Sequence, residues 1–261
     1  MNTLSREHNS HKGDNGKVFI IGGNEIFHGA PILAAKGAEA SGVDLIFIAV
    51  PPCQKEVTKN AGLNFIVQNF EEDHLTQKDI PALLKRSHDT DVTIIGNGLG
   101  KNDNTRKALV EFLRAVEGVV VIDADGLIED LMRIRRPYAW VLTPHDEEFQ
   151  RVFNTDATPE NISQAAQERQ CVIIKKGTID LISNTAGEIT ENKTGCPQMT
   201  VGGTGDALAG IIAGLIAQGL TPFEAAKKAT RSWGEVGERL SKTHHSFTGE
   251  EMLQAYKKKD S

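Results

Sequence analysis

The sequence predicts an α/β fold with a mostly parallel central sheet and helices on both faces. Three observations carry that prediction. The strand-like segments are continuous apolar runs rather than alternating ones, as expected of strands buried on both faces. They alternate along the chain with segments of helical composition, the order of βαβ units. Nearly every apolar run stops at Gly, Asp, Thr-Pro-His or Lys-Gly. In doubly wound sheets ligands bind outside the carboxyl ends of the strands, so these stops are where chemistry is expected.

The elements follow in order. Residues 1–15 are polar and read as a tail. Val18–Ile21 runs into Gly22-Gly23 and reads as a buried strand; Ala30–Ala40 is Ala-rich and helical. Leu45–Val50 is a second strand, stopped by Pro51-Pro52, and Asn64–Val67 a third. Ile80–Arg86 reads as a helix. Val92–Ile95 is a strand that ends in Gly96-Asn97-Gly98-Leu99-Gly100, and Thr105–Val116 an amphipathic helix. Val119–Ile122 ends at Asp123, Trp140–Leu142 at Thr143-Pro144-His145, and Val172–Ile174 at Lys175-Lys176-Gly177. Leu181–Ser183 begins another extended stretch. With no internal repeat, low-complexity block or linker, residues 16–261 read as one domain.

Composition narrows the function classes. A chain that is 39% hydrophobic and 25% charged has the make-up of a globular protein, not a disordered one. Its 29 basic against 35 acidic residues give a net charge of −6, which argues against nucleic-acid binding. Cys53, Cys171 and Cys196 form neither a CxxC nor a zinc pattern, and read as reduced thiols of a cytoplasmic protein. Met1 to Lys17 carries no apolar signal core. The longest apolar run, Ala207–Ala217, falls short of the ~20 residues of a membrane span, so no membrane partner is expected.

The most informative stretch is Met199-Thr200-Val201-Gly202-Gly203-Thr204-Gly205-Asp206, followed by a helix of small and apolar residues from Ala207 to Ile216. A helix apolar all round is buried all round. Glycines at its start let the backbone approach an anion, and the helix N-terminus adds partial positive charge, so the stretch is a phosphate cradle. Asp206 sits in that cradle and is a candidate base. The alternative is that Thr204 or Asp206 only caps the helix. The turn is not a P-loop, and Gly96–Gly100 lacks the spacing of a dinucleotide fingerprint.

Gly202-Gly203-Thr204-Gly205-Asp206 before this helix resembles the anion-hole signature of ribokinase-like kinases. Other pieces accompany it in order: His11-Lys12-Gly13, Gly16-Lys17-Val18, Gly29-Ala30-Pro31, Gly96-Asn97-Gly98-Leu99-Gly100, Val121-Ile122-Asp123-Ala124-Asp125-Gly126-Leu127, Leu142-Thr143-Pro144-His145 and Lys176-Gly177. Together they resemble the ADP/ATP-dependent NAD(P)H-hydrate dehydratase family over nearly the whole chain. The resemblance implies a ribokinase-like three-layer sandwich. Many members carry a fused NAD(P)H-hydrate epimerase domain; the length here matches the stand-alone dehydratase, with an epimerase as a separate functional partner.

The resemblance implies repair of hydrated NADH and NADPH (NADHX and NADPHX) with ADP or ATP as co-substrate and Mg²⁺ on the nucleotide phosphates. Phosphorylation of the ring hydroxyl would be followed by elimination of phosphate. Asp206 would be the catalytic base, and Gly202, Gly203, Thr204 and Gly205 the anion hole. Ala30, Gly100, His145 and Asp206 would bind the hydrate. Lys176, Gly177, Thr178, Ile179, Asp180 and Gly205 would bind the nucleotide. Glu148 would organise the metal through water, or serve as a first-turn acid of its helix. Asp123 and Asp125 receive minor weight, as turn and cap residues at a strand end. A homo-oligomer is implied.

The chain departs from the family's usual pattern at four places. Asn97 stands for Pro, Asp146-Glu147 for Pro-Gly, and Asp180 for Thr, while Lys175 makes a double lysine with Lys176. These bear on nucleotide affinity and on ADP against ATP preference more than on the fold. Two other readings stay open: a ribokinase-like kinase of a small molecule such as a vitamin precursor, and a nucleotide-binding regulator without turnover.

Overall fold

The structure is a computed structural model that describes residues 9–134 and 139–257. The first eight residues of the expected tail lie outside the described residues. Its remainder lies on the Asp44 carboxylate, which accepts the N–H groups of Gly13 at 2.8 Å and Asn15 at 3.1 Å.

All nine strands share one sheet. They are β1 (Lys17–Ile21), β2 (Leu45–Val50), β3 (Phe65–Asn69), β4 (Val92–Ile95), β5 (Val119–Ile122), β6 (Trp140–Leu142), β7 (Val172–Lys175), β8 (Asp180–Ser183) and β9 (Ile189–Asn192). The order is β3-β2-β1-β4-β5-β6-β7-β8-β9. Strands β1 to β7 pair in parallel; β8 and β9 add an antiparallel edge. Ile20 of β1 lies in register with Ile48 of β2 on one side and Ile94 of β4 on the other.

Nine α-helices are seen among the described residues: α1 (Gly29–Ser41), α2 (Lys55–Ala61), α3 (Ile80–His88), α4 (Asp103–Ala115), α5 (Asp146–Phe153), α6 (Pro159–Arg169), α7 (Thr204–Ala217), α8 (Pro222–Ser241) and α9 (Gly249–Lys257). The continuous apolar strands serve two cores because successive side chains point to opposite faces. Ile20, Ile48, Ile94 and Ile174 pack with Ala34, Ile211, Trp233 and Met252 of α1, α7, α8 and α9. Phe19, Ile21, Ile122 and Ile173 pack with Leu83, Phe112, Phe149 and Ile162 of α3, α4, α5 and α6. The predicted layering, helix–sheet–helix, is what the chain forms.

Helix α7 is buried along ten consecutive residues, Ala207–Ile216. It lies so close to α1 that a Cβ on Gly37 would strike the Ala207 carbonyl, and one on Gly210 the Ala34 carbonyl. That contact fixes α7, and its N-terminus, against the sheet. Among the described residues no helix is long and apolar enough to cross a membrane.

Candidate active site

The connection order reverses between β1 and β4, inside the parallel part, and this is where an α/β sheet opens a crevice. Their two glycine turns interlock. Gly23 N–H donates to the Asn97 carbonyl at 2.9 Å, and a Cβ on Gly22 would collide with that same oxygen. Gly96, at φ +122°, lies so close to the Asp123 carbonyl that no other residue fits. These contacts pull the ends of β1, β4 and β5 into one patch beneath the start of α7.

Helix α7 begins on Gly203, at φ +91°, with no side-chain cap. The Thr204 hydroxyl donates to the carbonyls of Met199 and Val201, both at 3.0 Å, so it ties down the preceding turn. Asp206 Oδ1 accepts a hydrogen bond from Asn97 Nδ2 at 2.6 Å. Neither residue caps the helix. Its first-turn N–H groups have no intrahelical partner, so they are left for an anion.

Asp206 is not alone. Asn97 Nδ2 also donates to Asp123 Oδ2 at 3.0 Å. Asp123 Oδ1 accepts from Lys176 Nζ at 2.8 Å and from the Thr143 hydroxyl at 2.6 Å. Thus the ends of β4, β5, β6 and β7 and the start of α7 meet in one network. Burial, then the neighbouring Asp123 charge, pushes the Asp206 carboxyl up to about 6, against the pull of Asn97 and Lys176. Burial also pushes Asp123 up, but the Lys176 ammonium, its hydrogen bond and Thr143 outweigh it and hold that carboxyl low. Burial lowers Lys176, while Asp123, Glu148 and Asp206 more than restore it, so its pKa is raised. The arrangement keeps one carboxylate firmly ionised and paired, and the other near neutrality and able to exchange a proton.

The remaining candidates surround this network. Ala30 abuts the Gly98 turn: a Cβ on Gly98 would lie 3.2 Å from its own. Gly100 N–H donates to Asp125 Oδ2 at 2.9 Å. His145 opens α5 in a reciprocal cap with Glu148: its N–H donates to Glu148 Oε2 at 2.9 Å, and its ring accepts from Glu148 N–H at 3.4 Å. Glu148 is buried, and burial raises its pKa against the opposing Lys176 charge. Lys176 N–H donates to the Pro144 carbonyl at 2.8 Å, joining the His145 turn to the 176–180 loop.

The residues expected to bind nucleotide divide by role. Lys176 points inward to Asp123 and lies beside Gly205, where an added Cβ would be 3.4 Å from its Nζ. Asp180 turns its carboxylate inward, accepting from Gly177 N–H of its own loop at 3.1 Å and from Asn192 Nδ2 of β9 at 3.0 Å. Gly177, Thr178 and Ile179 face outward. The departure Lys175 pairs with the departure Asp146 at 3.1 Å, closing the two loops with a surface ion pair.

Sequence reasoning underrated Asp123 and gave Asn97 no role. The available signal was position: Asp123 and Asn97 both stand where an apolar run stops. Among the described residues, no three His, Cys, Asp or Glu side chains cluster to hold a metal ion.

Comparison with known proteins shows the family and the fold. A family model described as NAD(P)H-hydrate dehydratase matches residues 18–259. A bifunctional NAD(P)H-hydrate repair enzyme of Methanopyrus kandleri is 38% identical over 227 residues, covering 83% of this chain and 43% of that protein. An ADP-dependent (S)-NAD(P)H-hydrate dehydratase of Cenarchaeum symbiosum is 34% identical over 248 residues, covering 92% and 86%. A crystal structure of a ribokinase-like superfamily protein from Enterococcus faecalis superposes with a TM-score of 0.88 at 27% identity, covering 99% of this chain and 94% of that one. The chain spans about half the length of the curated bifunctional relatives it matches.

Proposed function

This chain belongs to the NAD(P)H-hydrate dehydratase family, and from that premise we propose that it restores hydrated NADH and NADPH to their reduced forms at the expense of ADP or ATP. The observation that supports this reading best is Asp206: a half-buried carboxylate whose pKa is raised to about 6, in the first turn of an uncapped helix behind Gly202–Gly205.

The substrate's ring hydroxyl attacks the terminal phosphoryl group of the nucleotide, and its proton passes to Asp206. The new O–P bond forms as the donor's bridging P–O bond breaks. The N–H groups from Gly202 to Gly205 hold the equatorial oxygens, and Lys176 beside Gly205 adds positive charge, so the chain contributes chiefly positioning and electrostatics. The phosphorylated carbon then loses phosphate as the ring nitrogen donates its lone pair, and loss of a ring proton completes the double bond. Ala30, Gly100 and His145, which line the turns around this network, bind the hydrate together with Asp206.

Mg²⁺ suits the donors present, since it is bound by one or two carboxylates together with phosphates and water. Glu148 would hold it through water, and the ion would offset charge on the nucleotide phosphates. The outward residues Gly177, Thr178 and Ile179 take the nucleotide, on a loop that Asp180 holds in shape.

Residues 16–261 act as one catalytic domain, in the cytoplasm, on a hydrate that a separate epimerase supplies in the required configuration. A homo-oligomer forms part of this reading: Val57, Leu63 and Ile66, on and beside edge strand β3, are exposed apolar residues. Light scattering that gives the monomer mass of 28.4 kDa across micromolar concentrations would remove this element.

The test is absorbance at the dihydronicotinamide band with hydrated NADH or NADPH, Mg²⁺, and ADP, ATP or no nucleotide. Nucleotide-dependent growth of the band with release of inorganic phosphate is expected. Release of a stable phosphorylated substrate instead would make the protein a kinase. ADP or ATP with Mg²⁺ should also raise Tm by mass action, and no shift at millimolar nucleotide would overturn the binding assignment.

A further inference from the structure

We propose that Asn97 is a positioning residue for Asp206: its amide ties Asp206 to Asp123 and leaves the second oxygen of Asp206 free to take the substrate proton. The proposal deepens the reading above and rests on Asp206 being the base.

Asn97 is fully buried. Both donors of its amide are spent on carboxylates, one on Asp206 Oδ1 at 2.6 Å and one on Asp123 Oδ2 at 3.0 Å. This sets the orientation of the amide, because turning it over would place a carbonyl oxygen against two acids. Its backbone is held as firmly. The carbonyl accepts Gly23 N–H at 2.9 Å, and the flanking residues are glycines at φ +122° and +70°. The side chain therefore projects from a fixed point.

The amide carries a cost in stability. Asn97 Oδ1 is buried with no hydrogen-bond partner among the described residues, a cost that an apolar side chain would not incur. What the amide does is bridge buried Asp123 and half-buried Asp206, two acids that would otherwise repel. It pins Oδ1 of Asp206, and Oδ2 has no hydrogen-bond partner among the described residues. A base with one oxygen pinned presents the other in one direction, which is how small displacements are kept from costing rate.

The charged groups around Asp206 are Asp123 and Asp125 at the end of β5 and Lys176 at the end of β7. Asn97 and Lys176 favour its ionised form; burial and the two acids oppose it. Without the amide, Asp206 binds its proton more tightly. A base works only when ionised, so the acid limb of the rate profile moves to higher pH.

The test uses Asn97→Asp, which keeps the shape but loses the donor, and Asn97→Ala. Two quantities are read: kcat against pH, and titration of the Asp206 carboxyl by carbon NMR, with its signal assigned through Asp206→Asn. Both variants should show the acid limb displaced upward, Asn97→Asp the more. Near pH 6, kcat should fall about tenfold or more and recover as pH rises, with KM for nucleotide little changed. The carboxyl titration should move the same way. A drop in kcat that is equal at all pH values, with the carboxyl titration unmoved, would show Asn97 to be a packing residue. Should either variant fail to fold, Asn97→Ser, which keeps one hydroxyl donor, is measured in the same two ways. If the wild-type protein turns over no hydrate with either nucleotide, the assigned reaction fails, and the NMR titration still decides the role of Asn97.

Discussion

Helices α4 and α7 begin differently. Helix α4, which follows the glycine turn of β4, opens on Asn102, whose side chain accepts Thr105 N–H at 2.8 Å, with Asp103 in the first turn. Helix α7, which follows Gly202-Gly203, opens on a glycine with no cap; Thr204 bonds backward to its own turn and Asp206 sideways to Asn97. The donors at the first end are partly spent on the chain, and the end contributes stability. At the second end no side chain among the described residues caps them, and the acid of the first turn is bonded to Asn97, beyond the end of β4. Placing polar residues at a helix start therefore does not decide between a cap and a site. What decides is whether a neighbouring element competes for the side chain.

Four measurements would break or sharpen that contrast. The largest effect belongs to Asp206→Asn, which keeps the shape but cannot accept the proton. Losing a general base costs ~10²–10⁴ in rate, so kcat should collapse while nucleotide binding, read by titration, is kept or tightened. Retention of more than about a tenth of wild-type kcat would place Asp206 with Asn102 among the structural residues.

Next in size is Lys176→Met, which strands Asp123 without its ammonium. Breaking a buried pair costs about 3–5 kcal/mol, measurable by denaturant unfolding. The fold holds the Asp123 carboxyl below its ordinary 3.8. Its pairing therefore contributes fully above the unfolded value, and the contribution fades as pH falls through the folded one. The Lys176→Met deficit should shrink in acid; a deficit independent of pH would point to lost packing instead.

Asp206→Asn should also stabilise the resting protein. The folded carboxyl titrates near 6 against 3.8 unfolded, so wild type loses stability as pH rises from one value to the other. Asparagine escapes that loss and should gain at most about 3 kcal/mol at neutral pH, with none below the unfolded value. Equal melting temperatures of the two proteins at pH 7 would mean that the site carries no such strain. The smallest effect is at α4: Asn102→Ala should cost about 1 kcal/mol and leave kcat alone. A tenfold loss of kcat there would join the start of α4 to the site and end the contrast.

How much was legible follows the same physics. The strands of the parallel sheet and helix α7 were read directly, because continuous burial leaves continuous apolar runs. Helix α6, PENISQAAQER, buries only Ile162, Ala165 and Ala166, and β9, ITEN, buries only Asn192. Such elements take their structure from what they pack against and leave no pattern to read. Helices α5 and α8 did carry a pattern, Phe149 with Val152 and Ala226, Ala229 and Trp233 at helical spacing, and were passed over along with α2 and α9.

The sequence by itself determined the α/β class, the expectation that chemistry sits at strand ends, the glycine cradle and the candidacy of Asp206. These depend on local composition and on residues adjacent in the chain. Tertiary structure decided the partners. Asn97 reaches Asp206 across 109 positions and Asp123 across 26, and Lys176 reaches Asp123 across 53. Asn97 looked like a departure from a pattern and Asp123 like a turn residue until β4, β5 and β7 were placed in one sheet with α7 above their ends. Periodicity records whether a residue is buried, but not which strand lies beside it. Strand order alone sets whether two distant acids share an amide, and with it which of them stays ionised and which can take a proton.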